Sequence, residues 1–151
     1  MKMTMTELEA MLRENKKERK PMELLPDQLK EKFKQYPLYS QDGKLEKAIV
    51  VCKFFNPFGS GSWYCLEGEP LGEDDFEFFG YVSLLEREYG YFTLKELEGI
   101  QKSDSGATIE RDKFIKEGIT LEEILKQDGL FEEYSETFLR DDEEPKKEEN
   151  E

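Results

Sequence analysis

The sequence predicts an α+β domain: a small antiparallel sheet of three to five strands with helices packed on one face, an N-terminal helix before it and a disordered acidic tail after it. Short β-branched and aromatic runs, "KAIVVCKFF", "SWYCLE" and "DFEFFGYVSL", are separated by turn residues rather than by crossover helices. Helix-start spacings of the form Thr-x-x-Glu recur at Thr6, Thr93 and Thr120, each ahead of apolar residues at helical intervals. The chain is only 36% hydrophobic and 38% charged, so its 11 Phe, 7 Tyr and 1 Trp must supply much of the core.

Thr6 and Glu9 predict the start of a first helix that carries Leu8, Met11 and Leu12 on one face and ends in a basic run before Pro21. Its short apolar stripe suits an extension over 1–20 rather than a core element. Pro26 opens a second helix, with Leu29 and Phe33 one turn apart, and Pro37 stops it. Strands at 47–55 and 62–67 flank the loop "NPFGSG". Placing Phe55 opposite Trp63 puts Ala48, Val50, Cys52, Phe54, Tyr64 and Leu66 on one almost wholly apolar face. That register sets Cys52 and Cys65 on opposite faces, and makes Lys53 and Glu67 diagonal neighbours beside Trp63. "DFEFFGYVSL" forms a third strand, in which Gly80 marks a bulge or a close backbone approach. "YGYF" runs into a helix capped by Thr93, "TIERDKFI" is a last strand, and Thr120 opens a helix that Asp128-Gly129 breaks. Phe131, Tyr134 and Phe138 have helical spacing, so the single domain spans 21–140. Residues 141–151 have no apolar residues and form the tail.

The net charge is −14, distributed as +2 over residues 1–20, −8 over 21–127 and −8 over 128–151. That balance opposes direct nucleic-acid binding, which needs Lys and Arg against phosphate. It suits a protein partner with a basic surface, including one that ordinarily holds DNA or RNA. The chain has 2 Cys and no His, which excludes imidazole catalysis and the usual zinc ligand sets. Two cysteines make no secreted disulfide framework, the start "MKMTMTELEA" lacks the apolar run of a signal peptide, and no stretch approaches a membrane span. A cytoplasmic location is expected.

Three functional readings follow. The first is protein–protein binding without catalysis, one version of which is inhibition or modulation of a nucleic-acid-handling enzyme, and it needs no cofactor. The second is a Mg²⁺-dependent nuclease or phosphoesterase, with Glu67, Glu110 and Asp112 as the carboxylates. The acids Glu73, Asp74, Asp75 and Glu77 are a further cluster, in an apparent turn. The third is a nucleotide or small-ligand module built from Trp63, Lys53, Glu67 and Tyr81, in which a base would stack on the aromatics. "GSGS" lacks the lysine and the following helix of a phosphate loop.

In their order and spacing, "PLYSQDG", "VCKFFNP", "WYCLE", "FFGYV", "YGYFTLKEL" and "IERD" resemble a bacterial family, domain of unknown function twenty-nine fifty-eight, over about residues 24–114. The resemblance implies a setting on plasmids, phages and integrative elements. It carries over no catalytic residue. Gly61 stands where the family has a second tryptophan, and the first helix and the region after Phe114 look like additions to it.

Overall fold

The loop after Asn56 decides how the sheet is assembled in a computed structural model of the chain, which describes residues 2–18, 22–101 and 109–131, the side chains of 12–18 excepted. Asn56 Oδ1 accepts the Phe58 N–H at 2.9 Å. Asn56 N–H donates to the Gly61 carbonyl at 3.0 Å. Gly61 has φ +138°, a value L side chains rarely adopt. This closure draws Asn56 and Gly61 into the ladder between β1 (Cys52–Phe55) and β2 (Ser62–Leu71). The resulting pairs are Cys52–Cys65, Lys53–Tyr64, Phe54–Trp63 and Phe55–Ser62.

The observed register is one residue away from the expected one, so the faces differ. Cys52, Phe54, Trp63 and Cys65 share one face, where they join Phe76, Phe78 and Phe92 in a buried cluster. Tyr64 and Leu66 lie in a second cluster on the other face. The expected register rests on gathering the apolar residues onto one face. Here both faces are covered, so a ribbon apolar on both sides carries no penalty.

β2 continues into an antiparallel hairpin with β3 (Asp75–Ser83), and β4 (Arg87–Thr93) pairs on its far side. β5 (Glu110–Arg111) adds to β1, giving the order β4-β3-β2-β1-β5. The α+β class and the antiparallel sheet are as the sequence predicts. α2 (Asp27–Phe33) and α3 (Leu94–Gln101) contribute Phe33 and Leu97 to the first cluster. α4 (Leu121–Gln127) buries Leu121, Ile124 and Leu125 in the second. Helices therefore cover both faces, where one helical face was expected.

Several element boundaries moved for identifiable reasons. α1 (Met5–Glu18) starts two residues early, because Thr4 and Glu7 have the same spacing as Thr6 and Glu9 and form the reciprocal cap. Up to residue 11 its side chains are exposed, apart from half-buried Leu8. The caps at Thr93 and Thr120 form as predicted. The first half of "KAIVVCKFF" leaves β1 to bond with 119–121: Val50 N–H donates to the Ile119 carbonyl and Leu121 N–H to the Ala48 carbonyl, both at 2.9 Å. Beyond Phe131, the helix expected with Tyr134 and Phe138 and the acidic tail lie outside the described residues.

Gly80 is the close approach that its sequence position suggests. It pairs with Cys65, beside a bulge in β2 between Cys65 and Glu67, and an added Cβ would collide with the Tyr64 carbonyl. Because the obstacle is backbone, no rotamer relieves it. Gly80→Ala is expected to destabilise the fold by about 3 kcal/mol, at the upper end of overpacking costs. A urea titration followed by the emission of buried Trp63 measures this.

Candidate functional site

Glu67 is a charged residue in the middle of a strand, yet it is only 2% exposed. The β2 bulge at Leu66 turns it toward the segment "PLYSQDG". Tyr39 there has φ 74°, a left-handed conformation costly for a bulky residue. This turn points successive amides at carboxylates. Tyr39 and Gln41 N–H donate to the two oxygens of Glu67 at 2.7 and 2.8 Å. Leu38 N–H donates to Glu69 at 3.2 Å. Buried Gln41 completes the seam: its Nε2 donates to the Ile49 and Leu66 carbonyls, and its Oε1 accepts Ile49 N–H at 2.7 Å. Glu67 thus holds a loop against the sheet.

Lys53 projects from the second face. The expected Lys53–Glu67 pair does not form, because the register shift and the bulge separate them. Lys53 Nζ instead meets Asp128 Oδ2 at 2.8 Å, and the Tyr64 hydroxyl donates to the same oxygen at 2.6 Å. Asp128 caps the C-terminal end of α4, so this trio ties the helix to the β1–β2 ribbon. Burial, reinforced by Asp128, pushes the Tyr64 hydroxyl well above its usual range. Tyr89 is raised too, chiefly by burial. An unfolded tyrosine ionises near pH 10. Above about that pH the unfolded chain releases protons that the folded chain keeps, so stability falls as pH rises. The melting temperature is expected to drop steeply above about pH 10, with a shallower drop in Tyr64→Phe. Thermal melts across the alkaline range check this.

The residues expected to act together are divided by the sheet. Trp63 is buried in the first cluster, whereas Lys53, Tyr64 and half-buried Tyr81 share the second face. Trp63, Lys53, Glu67 and Tyr81 therefore share no opening. Glu110 sits on β5 opposite Phe55. Asp112 caps its own turn through Phe114 N–H at 2.8 Å. Among the described residues no three Asp, Glu or Cys side chains are grouped to hold a metal, so Glu67, Glu110 and Asp112 do not form the expected Mg²⁺ set.

The "GEDDFE" acids have a different setting. Glu73, Asp74 and Asp75, though not Glu77, rim a groove of about 680 Å³ between α2, the β2–β3 hairpin and the start of α3. Its floor includes Phe33, Phe76, Pro70 and Leu94, with the two Phe rings 5.5 Å apart. Six carboxylates line it, those of Asp27, Glu31, Glu69, Glu73, Asp74 and Asp75, against the ammonium groups of Lys30 and Lys34. Asp75 is structural: its Oδ1 accepts Phe76 N–H and, at 3.0 Å, the Lys95 N–H in the first turn of α3. Asp74 meets Lys95 at 3.2 Å and Glu31 meets Lys34 at 3.0 Å, both pairs exposed and weak. Sequence reading located the hairpin acids but missed the share of α2. Asp27, Lys30, Glu31 and Lys34 recur at helical spacing, which would have shown a face of mixed charge on that helix.

These features define an α+β protein whose five-stranded sheet is covered on both sides and which carries a groove rimmed by six carboxylates and two lysines between α2 and the β2–β3 hairpin. The chain belongs to the family described as "Protein of unknown function (DUF2958)", whose model matches residues 24–128. The match takes in α4, so the segment between Phe114 and Asp128 is part of the family domain rather than an addition to it. No curated protein and no solved structure matches the chain. No helix among the described residues is long and apolar enough to cross a membrane.

Proposed function

We propose that this chain is a protein-binding accessory factor of a mobile genetic element, and that it grips a basic segment of its partner in the groove between α2 and the β2–β3 hairpin. The observation that carries this reading is the pairing of an apolar floor with a carboxylate rim. A rim of this kind attracts Lys and Arg, and the floor offers an apolar side chain between them a place to leave water. The overall charge of −14 would speed encounter with a cationic surface and repel free nucleic acid. A partner that normally uses its basic surface for DNA or RNA would then be occupied by this protein, which makes inhibition or modulation of a nucleic-acid-handling enzyme the natural outcome.

The test uses the full chain and fluorescent peptides of equal length: one alternating Lys or Arg with Leu, one with Glu in place of the cations, and one with Ser in place of Leu. Anisotropy should show binding of the first, loss of binding for the second and weakening for the third. Equal binding of all three, or of none, would remove this reading.

A further inference from the structure

We propose that Cys52 and Cys65 are a reversible thiol–disulfide pair, in which Cys52 reacts first with a small-molecule disulfide and Cys65 resolves the product. The register carries this inference. The two residues stand directly opposite each other on adjacent antiparallel strands, on the same face of the sheet. Val51 N–H donates to the Cys65 carbonyl at 2.8 Å, so the strands are held together at this point. Opposed residues in such a pair have Cα atoms about 4.5–5.5 Å apart, within the roughly 4.4–6.8 Å that a disulfide spans. Both thiols are free.

Their surroundings set the order of reaction. Cys52 is buried at 3% exposure, against 0% for Cys65, but it contributes to the lining of a cleft of about 420 Å³ between α2 and the segment after β5, together with Leu29, Lys32, Arg111, Asp112 and Lys113. Lys32 pairs with Glu117 at 2.8 Å, and Arg111 donates to the Glu23 and Leu24 carbonyls. Lys113 is exposed at the mouth. Three cations against the single carboxylate of Asp112 leave this lining net positive, which favours the approach of an anionic disulfide such as oxidised glutathione. Cys65 is fully buried, and burial together with the neighbouring Cys52 pushes its thiol up. It is therefore a poor first nucleophile, but it faces the sulfur it must attack.

The chemistry balances with oxidised glutathione as the oxidant. The Cys52 thiolate attacks one glutathione sulfur, and the departing glutathione thiolate takes up a proton. Cys65 then loses its proton and attacks the Cys52 sulfur, which expels the second glutathione as a thiol. Two protein thiols become one disulfide, and one glutathione disulfide becomes two thiols.

The experiment exposes the reduced full chain to oxidised glutathione well below its melting transition, with near-ultraviolet circular dichroism recorded throughout. Alkylation and peptide mapping by mass spectrometry follow. The expected product is an intramolecular Cys52–Cys65 link, with the loss of two hydrogens, that dithiothreitol reverses. In Cys65→Ala, one glutathione should accumulate on Cys52; in Cys52→Ala, Cys65 should stay unmodified. Persistence of two alkylatable thiols in the native chain would overturn the proposal, as would glutathione on Cys65 first or a disulfide-linked dimer. The wild-type measurement decides the matter even if neither variant folds.

Discussion

Glu67→Ala is expected to lower the unfolding free energy by about 3–5 kcal/mol, because it strands one buried and one part-buried amide at roughly 1–3 kcal/mol each and leaves a void. The amides are those of Tyr39 and Gln41, held at 2.7 and 2.8 Å. Tyr39 sits in a strained left-handed conformation that the carboxylate helps to maintain, so the loop should release as a unit. Gln41 would then lose its hold on Ile49 and Leu66, and the seam between the loop and the sheet would open. A drop of this size is a large part of a small domain's stability and corresponds to roughly 10–20 °C in melting temperature. Glu67→Gln keeps one acceptor oxygen and should cost about half as much. Urea titrations monitored by Trp63 emission provide both values. A Glu67→Ala protein as stable as the wild type would show that the carboxylate does not hold the loop, and would return it to consideration as a reactive group.

The groove predicts the opposite pattern, a large loss of binding with little loss of stability. Changing Glu31, Glu73 and Asp74 together to Lys should weaken binding of the Lys/Leu peptide by about 3 kcal/mol, roughly a hundredfold, taking about 1 kcal/mol per reversed rim charge. The side chains of Glu31 and Asp74 are 71% and 79% exposed, and Glu73 is exposed as well. Their replacement therefore leaves the core untouched, and the melting temperature should stay within a few degrees. Wild-type binding should weaken between about 0.05 and 0.5 M salt as the screening length shortens. Isothermal titration calorimetry at several salt concentrations measures both effects. Undiminished affinity in the triple variant would place the binding surface elsewhere.

The two outcomes separate roles that the sequence alone could not. "WYCLE" and "PLYSQDG" were legible as motifs, and Glu67 stood out as an acid in an aromatic strand. Its partners were not legible, because backbone amides brought close by a turn leave no mark in residue type. Lys53 was a candidate for a ligand, yet it serves to hold α4 through Asp128, a residue noticed only as a helix breaker. The error had a single origin. A hairpin register was inferred by gathering the apolar residues onto one face, and the second face proved to be covered as well, by α4. Shifting one residue moved Trp63 away from Lys53, dissolved the proposed ligand set and brought the two cysteines opposite each other.

From its residues alone, this protein's class follows: alternating aromatics between turn residues can bury themselves only as strands, and Thr-x-x-Glu spacing announces helices wherever the backbone needs caps. The charge surplus, and with it the kind of surface the protein can approach, also follows from composition. The tertiary structure alone decided which carboxylates are buried against amides and which line a groove. It alone decided that α2, distant in sequence, meets the β2–β3 hairpin there. The reason is physical: burial and the direction of a side chain depend on what packs against it, and a one-residue change in strand pairing reverses them.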